Sequence, residues 1–266
     1  TLCKSIAQCV FVEQRINRLN GVLTANVQTV VVDTQRTDLL NGECGLKKSL
    51  IEALRIFVIE SFGRIGGIGK NLSEIEKRCN AVDLNDVTEN LKKALADTSV
   101  EEIVLEFNSP GGTCDGLEEL GEKIEKSAKR TTAYSETECC SAAYELASRC
   151  DRVYATPSSA WGSVGVYIAF ADLTEAYAME GVKMDVIKAG KHKAMGLEGT
   201  SLTKEDKKFL QEDVDERHDQ FKQTIKRRRL FAKDEDMEGQ VFEGKKAAQK
   251  GLVTGIVDGI DAIILS

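Results

Sequence analysis

Short apolar runs alternate with segments of helical periodicity along most of this chain, and that alternation limits the folds open to it. From about residue 51 onward, runs such as 103–107 and 152–155 are typical of strands, whereas 83–96 carries leucine and valine at helical spacing. Strands separated by helices form βα units, which build a largely parallel sheet flanked by helices. The sequence therefore predicts an α/β fold.

The domain organisation follows from length and from where the pattern begins. A chain of 266 residues fits one large domain or two small ones, and neither an internal repeat nor a low-complexity linker divides it. We predict an N-terminal extension of unassigned role over residues 1–50 and one domain over 51–266. Within that domain we expect further strands at 164–169 and 184–187, and a charged helix over 204–229. The candidate core contacts of this helix are Phe209, Val214, Phe221 and Ile225.

Composition excludes several classes of partner. The net charge of -7 argues against nonspecific binding to nucleic acid or to anionic membranes. No apolar stretch approaches the roughly 18–20 residues that span a bilayer. Because the chain begins at Thr1 and not at methionine, a trimmed or processed start and an upstream membrane anchor stay open.

Cysteine and histidine content limits the disulfide, metal and cofactor sites that the chain can form. Eight cysteines are too sparse for a disulfide scaffold of this size, so reduced thiols and a cytoplasmic location are expected. His192 and His218 are the only histidines, which makes a histidine-rich metal site improbable. The glycine-rich segment 63–69 lacks the lysine-serine ending of a phosphate-binding P-loop. We expect neither a cofactor nor a metal.

The segment 108–112 (NSPGG) is the first candidate element of a catalytic site. Proline fixes a turn after the strand, and Gly111 and Gly112 permit backbone conformations and close approaches that other residues do not. Such a turn can point backbone N–H groups at a developing oxyanion. An ordinary strand-to-helix turn is the alternative.

Ser141 is the second candidate element, because it lies where a helix begins among small residues. A helix start presents unpaired N–H groups and a partial positive charge. A serine at this position is most often an N-cap. The small Ala142 and Ala143 leave room for a substrate backbone, which favours a nucleophile instead. A second serine, Ser163, follows 22 positions later in a glycine-flanked turn.

The segment 189–193 (AGKHK) supplies a candidate base. Its side chains are expected at a strand end, where α/β sheets place their sites. A lysine activates a serine only when neutral, and with a reference pKa near 10.4 only about one in 2,500 is neutral at pH 7. Lowering that pKa by ~3 units costs roughly 4 kcal/mol. A solvated loop is one alternative. His192 as the base is another, although no acidic partner for it is evident in the sequence.

Taken together, the four motifs resemble those of the signal peptide peptidase A (SppA) family, serine peptidases of the ClpP/crotonase fold. The resemblance covers about residues 54–260, and it includes segments 239–244 and 251–253 near the C-terminus. Within the family, the chain most resembles the single-domain phage and prophage members that process head proteins. It departs from the family pattern at Ala142 and Ala143, where glycines are common.

The resemblance assigns a role to each candidate residue. Ser141 matches the nucleophile, Lys193 matches the general base, and Ser163 matches a serine that orients that lysine. Gly111 and Gly112 match the oxyanion turn, with the Ala142 N–H as second donor. It implies a Ser-Lys endopeptidase that acts on signal-peptide remnants or on phage head and scaffold proteins, in the cytoplasm or the prohead. It also implies homo-oligomeric rings, in which neighbouring protomers can share an active site.

Two other functions stay open at this point. A crotonase-like acyl-CoA enzyme shares the fold and the oxyanion geometry but needs no Ser-Lys pair. A catalytically silent structural or assembly protein of the same fold needs neither the oxyanion geometry nor the Ser-Lys pair.

Overall fold

The computed structural model describes residues 56–62, 64–65 and 81–264. These residues fall into two compact units. The small unit is Val166–His218, and the large unit comprises the described residues of Thr24–Gly165 together with those of Asp219–Ser266. The predicted extension over residues 1–50 lies outside the described residues. The predicted domain over 51–266 stays a prediction.

The large unit is built on a parallel sheet. Its described strands are β1 (Ile56–Phe62), β2 (Arg64–Ile65), β3 (Ala81–Val82), β4 (Glu102–Asn108), β5 (Arg130–Ser135), β6 (Glu138–Cys140), β7 (Arg152–Ala155), β8 (Ala160–Gly162), β9 (Val241–Glu243) and β10 (Gly255–Ile256). Five of them form one sheet in the order β1-β4-β5-β7-β10, and every neighbouring pair is parallel. Such a sheet is covered on both faces, which explains the continuous apolar run within β4. The α/β architecture predicted from the sequence is confirmed.

A second, smaller sheet carries the candidate site. It has the order β6-β8-β9, with β6 and β8 parallel and β9 antiparallel to β8. An isolated bridge between Ser109, directly after β4, and Cys139 in β6 connects the end of β4 to this sheet. The C-terminal end of β4 therefore lies beside β6.

The helices follow the predicted pattern closely. They are α1 (Leu84–Ala96), α2 (Leu117–Glu125), α3 (Ala142–Ser148), α4 (Thr174–Met179), α5 (Lys204–Arg228), α6 (Gly244–Gln249) and α7 (Ile260–Ile264). The helix α1 begins after Asp83, whose carboxylate accepts the Asn85 N–H at 2.8 Å as an N-cap. The apolar face of α1 is buried in the main core. None of the helices in the described residues combines the length and apolar character that crossing a bilayer requires.

A buried arginine joins α2 to the helix that begins at the candidate nucleophile. Arg149, directly after α3, is almost fully buried and pairs with Glu118, with Glu125 at 3.5 Å and with Glu145 at 3.6 Å. A Cβ at Gly121 of α2 would collide with the Arg149 side chain, so glycine is needed for this packing. Removing one partner of a buried ion pair typically costs about 3–5 kcal/mol. This cluster therefore fixes α3 against α2.

The small unit differs most from the prediction. The strands predicted at 164–169 and 184–187 are wrong, because the structure has no strand at either segment. A strand requires a partner for its backbone groups, and apolar composition alone does not supply one. Val164 is buried, but Tyr167 is 67% exposed and Ile187 is fully exposed. The helix α4 buries none of its residues.

Candidate active site

Ser141 lies in a sharp, strained turn between β6 and α3. Its backbone has φ 50° and ψ −124°, a conformation that costs a non-glycine residue about 1–3 kcal/mol. The Ser141 N–H donates to the Gly162 carbonyl at 2.8 Å, and the Ser141 carbonyl accepts the Glu145 N–H at 2.9 Å. Although Ser141 occupies the N-cap position, its hydroxyl makes no capping hydrogen bond. The turn therefore presents a half-buried hydroxyl that is not used to stabilise the helix.

The turn that contains Gly111 packs directly against Ser141. Backbone hydrogen bonds between Ser109 and β6 hold the turn in place: the Ser109 N–H donates to Glu138 at 2.9 Å, and the Cys140 N–H donates to Ser109 at 3.1 Å. Gly111 has φ 107°, and a Cβ added there would lie 2.6 Å from the Ser141 Cβ. Only glycine fits at this position, for conformation and for space.

The candidate oxyanion donors are not equivalent. The Gly111 N–H already donates to the Ser109 hydroxyl at 3.2 Å, inside the turn. Gly112 is exposed, whereas Gly111 is buried. Ala142 is the first residue of α3, and the first amides of a helix have no acceptor within the helix. The Ala142 nitrogen would lie 3.1 Å from a Cβ at Gly111, so the Gly111 turn and the helix start converge.

Strand pairing places Ser163 next to Ser141. The parallel register of β6 and β8 pairs Cys139 with Trp161 and Cys140 with Gly162, so Ser141 and Ser163 follow one pair further on. The 22-residue spacing of the two serines is the offset of this register. Ser163 has φ 52°, and its N–H donates to the Gln240 carbonyl at 2.6 Å.

Two cysteines precede the serine but are poor nucleophiles in this environment. Burial raises the pKa of the Cys140 thiol to about 12 and raises that of Cys139 well above its usual range. A thiol attacks as the thiolate, which both residues disfavour near neutral pH. Within the part of the chain that the structure describes, no group of His, Cys, Asp and Glu is arranged to hold a metal ion. These facts leave the Ser141 hydroxyl as the candidate nucleophile of this region.

Aromatic side chains anchor the helix α3 below the site. The Tyr144 hydroxyl donates to the Leu252 carbonyl at 2.6 Å, and its ring meets Trp161 edge to face at 6.1 Å between centroids. Both side chains are fully buried. These buried contacts therefore hold the helix that begins directly after the candidate nucleophile in a fixed position.

The small unit contains the lysine motif, and its residues are held in different ways. Lys191 forms an ion pair with Glu205, in which both side chains are 61% exposed. His192 Nδ1 lies 3.1 Å from Asp206 Oδ1. Lys193 is exposed, and among the described residues its ammonium has no ion-pair or hydrogen-bond partner.

Asp206 is the acidic partner of His192 that the sequence reading missed. It follows Thr203 in a T-x-x-D pattern at the start of α5, the spacing of a capping box. That pattern could have placed a fixed carboxylate at the helix start. Its pairing with a histidine 14 residues earlier depends on the tertiary fold.

Backbone strain marks Ser141, Ser163 and the residue directly after Lys193. In the described residues, the non-glycine residues with positive φ are Ser141, Ser163 and Ala194, the last directly after Lys193. Such strain collects at functional sites, because the surrounding structure must hold it in place. The structure brings Ser141, Ser163 and the Gly111 turn together in the large unit, and Lys193 belongs to the small unit.

Comparison with known proteins places the chain in a family. The model of peptidase family S49 matches residues 123–264, which is more than half of the 266 residues. The chain belongs to peptidase family S49. The resemblance to SppA-like serine peptidases, inferred above from four motifs, is thereby confirmed. The S49 match includes Ser141, Ser163 and Lys193, while the Gly111 turn precedes it.

Named relatives of this S49 chain are proteases and phage assembly proteins. It is 28% identical to the capsid assembly protease C of Escherichia phage lambda, over 67% of this chain and 42% of that protein. It is 30% identical to the head-tail preconnector protein GP5 of Enterobacteria phage P21, over 65% of this chain and 35% of that protein. It is 28% identical to protease 4 of Haemophilus influenzae, over 62% of this chain and 28% of that protein. The chain spans less than half the length of these three relatives.

Solved structures similar to this S49 chain are also proteases, at low sequence identity. A mutant of the 1510-N membrane-bound stomatin-specific protease matches with a TM-score of 0.48 and 11% identity, over 77% of this chain and 83% of that chain. A mutant of ClpP1 from Listeria monocytogenes matches with a TM-score of 0.49 and 12% identity, over 82% of this chain and 99% of that chain.

Proposed function

We propose that this chain is a serine endopeptidase in which Ser141 is the nucleophile and Lys193 is the general base. The observation that carries the proposal is the geometry at Ser141. Its strained turn exposes a hydroxyl that does not cap α3, and the Gly111 backbone packs against it. Membership of a serine peptidase family whose matched region includes both residues supports the same roles.

The reaction would proceed in two stages. Ser141 Oγ attacks the peptide carbonyl carbon while neutral Lys193 takes the hydroxyl proton. N–H groups of Gly112 and Ala142 hold the oxyanion, and Gly111 contributes once its N–H turns away from Ser109. The intermediate collapses to an acyl-enzyme as the protonated lysine gives its proton to the leaving amine. Water, deprotonated by the same lysine, then releases the acid and restores the serine.

Ser163 would hold the lysine in this mechanism. It lies beside Ser141 across the β6–β8 pair, and a positive φ directs its side chain out of regular strand geometry. The Ser163 hydroxyl would accept a hydrogen bond from the lysine, but a hydroxyl is too weak a base to take the proton itself. Ser163 would therefore orient the general base without replacing it.

We further propose that the active form is a homo-oligomer. Lys193 is exposed in the single chain, whereas burial is what favours the neutral form of a lysine. The small unit also exposes large apolar side chains, including Met179 by 85% and Tyr167 by 67%. Soluble monomers rarely expose many such groups together. A second copy of the chain that covered this unit would bury apolar surface and would lower the pKa of a neighbouring lysine.

The substrate class we propose is a protein or peptide, either a signal-peptide remnant or a phage head or scaffold protein. The assembly-related names of the two phage relatives support the second class. We place the enzyme in the cytoplasm or in a phage prohead, because Cys114, Cys139, Cys140 and Cys150 are free thiols.

Turnover of an unfolded protein such as casein tests the two catalytic roles. We expect Ser141→Ala and Lys193→Ala each to lower kcat by at least about 1,000-fold. The matched controls are Ser148→Ala, at the far end of the same helix, and Lys191→Ala, in the same lysine motif. Both controls should stay within about 5-fold of the unmodified protein. Unchanged proteolysis in Ser141→Ala would overturn the peptidase proposal.

Mixing inactive variants tests whether neighbouring protomers share a site. If Lys193 acts on the Ser141 of a neighbour, mixed oligomers of Ser141→Ala and Lys193→Ala chains contain some intact sites. About one quarter of the unmodified activity is expected, because one in four adjacent pairs keeps both residues. Activity that stays at the level of the separate variants would restrict the site to a single chain.

A further inference from the structure

Asp206 binds two parts of the small unit at once. Its Oδ2 accepts the Thr203 hydroxyl at 2.6 Å and the Thr203 N–H at 3.2 Å, and the Asp206 N–H donates back to that hydroxyl at 3.0 Å. Its Oδ1 lies 3.1 Å from His192 Nδ1. The side chain is mostly buried for a carboxylate. Asp206 therefore connects the start of α5 to the lysine motif.

Hydrogen bonds keep this carboxylate charged. The bonds from Thr203, followed by the bond from His192, lower the pKa of Asp206 to about 2. Asp206 is thus an acceptor throughout the pH range in which a lysine base could act. The bond that His192 donates to it is charge-assisted, which shortens and strengthens it.

A second contact fixes the plane of the His192 ring. The ring stacks on Phe209 with centroids 4.6 Å apart and planes 14° apart. Phe209 follows Asp206 by three residues on α5, so the two side chains lie on the same face of the helix. His192 is therefore held at one ring nitrogen and across one ring face.

Lys193 lies directly between this fixed residue and a strained one. Its own N–H donates to the Gly190 carbonyl at 3.2 Å, and Ala194 after it has φ 68°. With His192 fixed on one side and Ala194 on the other, the direction in which the Lys193 side chain leaves the backbone has little freedom.

We propose that Thr203, Asp206 and His192 form a clamp that positions Lys193 for its role as the base. This inference rests on the proposed function, and it adds His192 and Asp206 as positioning residues. No side chain of the described residues binds the Lys193 ammonium, while α5, 25 residues long, supplies a rigid support for the residue before it. The neighbouring Lys191–Glu205 pair is exposed on both sides and contributes little.

Two single variants and their combination test the clamp in the full-length protein. His192→Phe keeps an aromatic ring on Phe209 but loses the hydrogen bond, and Asp206→Asn removes the charge. Each is expected to lower kcat about 10- to 100-fold with KM within about 2-fold, because a displaced base slows chemistry and leaves binding intact. The fluorophosphonate labelling rate of Ser141 should fall in proportion. Since the two residues act as one unit, the double variant should be no slower than the slower single variant.

Matched variants separate positioning from general damage to the unit. Glu205→Gln breaks the adjacent ion pair on the same helical turn and should keep kcat within about 2-fold. His192→Asn retains an N–H donor near the Nδ1 position and should recover most of the activity lost in His192→Phe. Thermal unfolding followed by circular dichroism confirms that each variant is folded at the assay temperature.

Distinct outcomes identify which proposal fails. If Ser141→Ala and Lys193→Ala abolish turnover while His192→Phe behaves like Glu205→Gln, the clamp is wrong and the peptidase proposal stands. Multiplying losses in the double variant, or equal losses in Glu205→Gln, would also overturn the clamp. If turnover persists in Ser141→Ala and in Lys193→Ala, both proposals fail.

Discussion

The two regions that carry the proposed catalytic residues are held by different means. Ser141 is surrounded by buried residues, and backbone hydrogen bonds to β8 and α3 fix its position. Lys193 lies in a segment without strand pairing, where side chains of α5 hold the residues before it. Ser141 and the Gly111 turn are therefore fixed by contacts within the large unit, whereas Lys193 is exposed in the single chain.

This difference suggests a division of labour between the two regions. A strained turn such as that of Ser141 persists only where dense packing over-determines it, and Trp161 and Tyr144 supply such packing. An exposed segment can instead respond to assembly, because covering it changes both its burial and the protonation of its lysine. Activity would then be switched on by association, without rearrangement at the nucleophile.

Among substitutions at positions other than Ser141 and Lys193, the largest effect is expected from filling the space between Gly111 and Ser141. Gly111→Ala places a methyl group 2.6 Å from the Ser141 Cβ and imposes an unfavourable φ of 107°. We expect kcat/KM for casein to fall by at least about 100-fold, because both the oxyanion turn and the nucleophile must shift. Gly181→Ala is the control, since Gly181 also has a positive φ, 74°, but a Cβ there would have no atom within 4 Å. Equal activity in the two variants would show that close packing at Gly111 is unimportant.

A smaller effect is expected at the second serine. Ser163→Ala should lower kcat about 30-fold, because the proposed hydrogen bond from Lys193 to Ser163 would be lost while Ser141 keeps its place. The exposed Ser158 provides the matched control, and Ser158→Ala should be indistinguishable from the unmodified protein. A loss in Ser163→Ala as large as that in Ser141→Ala would make Ser163 a primary catalytic group.

The smallest effect is expected on the exposed side of the small unit. Ile187→Ser should leave the thermal unfolding of the single chain nearly unchanged, because Ile187 is fully exposed there. Self-association measured by sedimentation should weaken about 10-fold if a second copy buries this side chain. Unchanged association would exclude Ile187 from the interface.

Much of the large unit could be predicted from the sequence, because its signals are local. The strand at 152–155 and the helix after Asp83 have the predicted bounds, since apolar spacing and an N-cap specify them. The strands β6 and β8 were missed, because each has only three residues and is flanked by glycine or serine. Three residues are too few to show the alternation of apolar and polar side chains that identifies a strand. Their pairing is nonetheless what places Ser163 beside Ser141.

The small unit was harder to predict, because its structure depends on side-chain contacts. The apolar run at 184–187 predicts a strand, but no strand of the described residues pairs with it. Phe221 and Ile225, in the part of α5 that belongs to the large unit, are buried as expected. Phe209, in the part that belongs to the small unit, is 47% exposed and stacks on His192 instead of joining the core. Helical spacing identifies a face of a helix, and it does not say what that face contacts.

The most direct test of Ser141 as nucleophile and Lys193 as base is to map a fluorophosphonate adduct by mass spectrometry. We expect a single adduct on Ser141, strongly reduced in Lys193→Ala and retained in Lys191→Ala. An adduct on Ser163, or labelling of Ser141 that does not depend on Lys193, would contradict it.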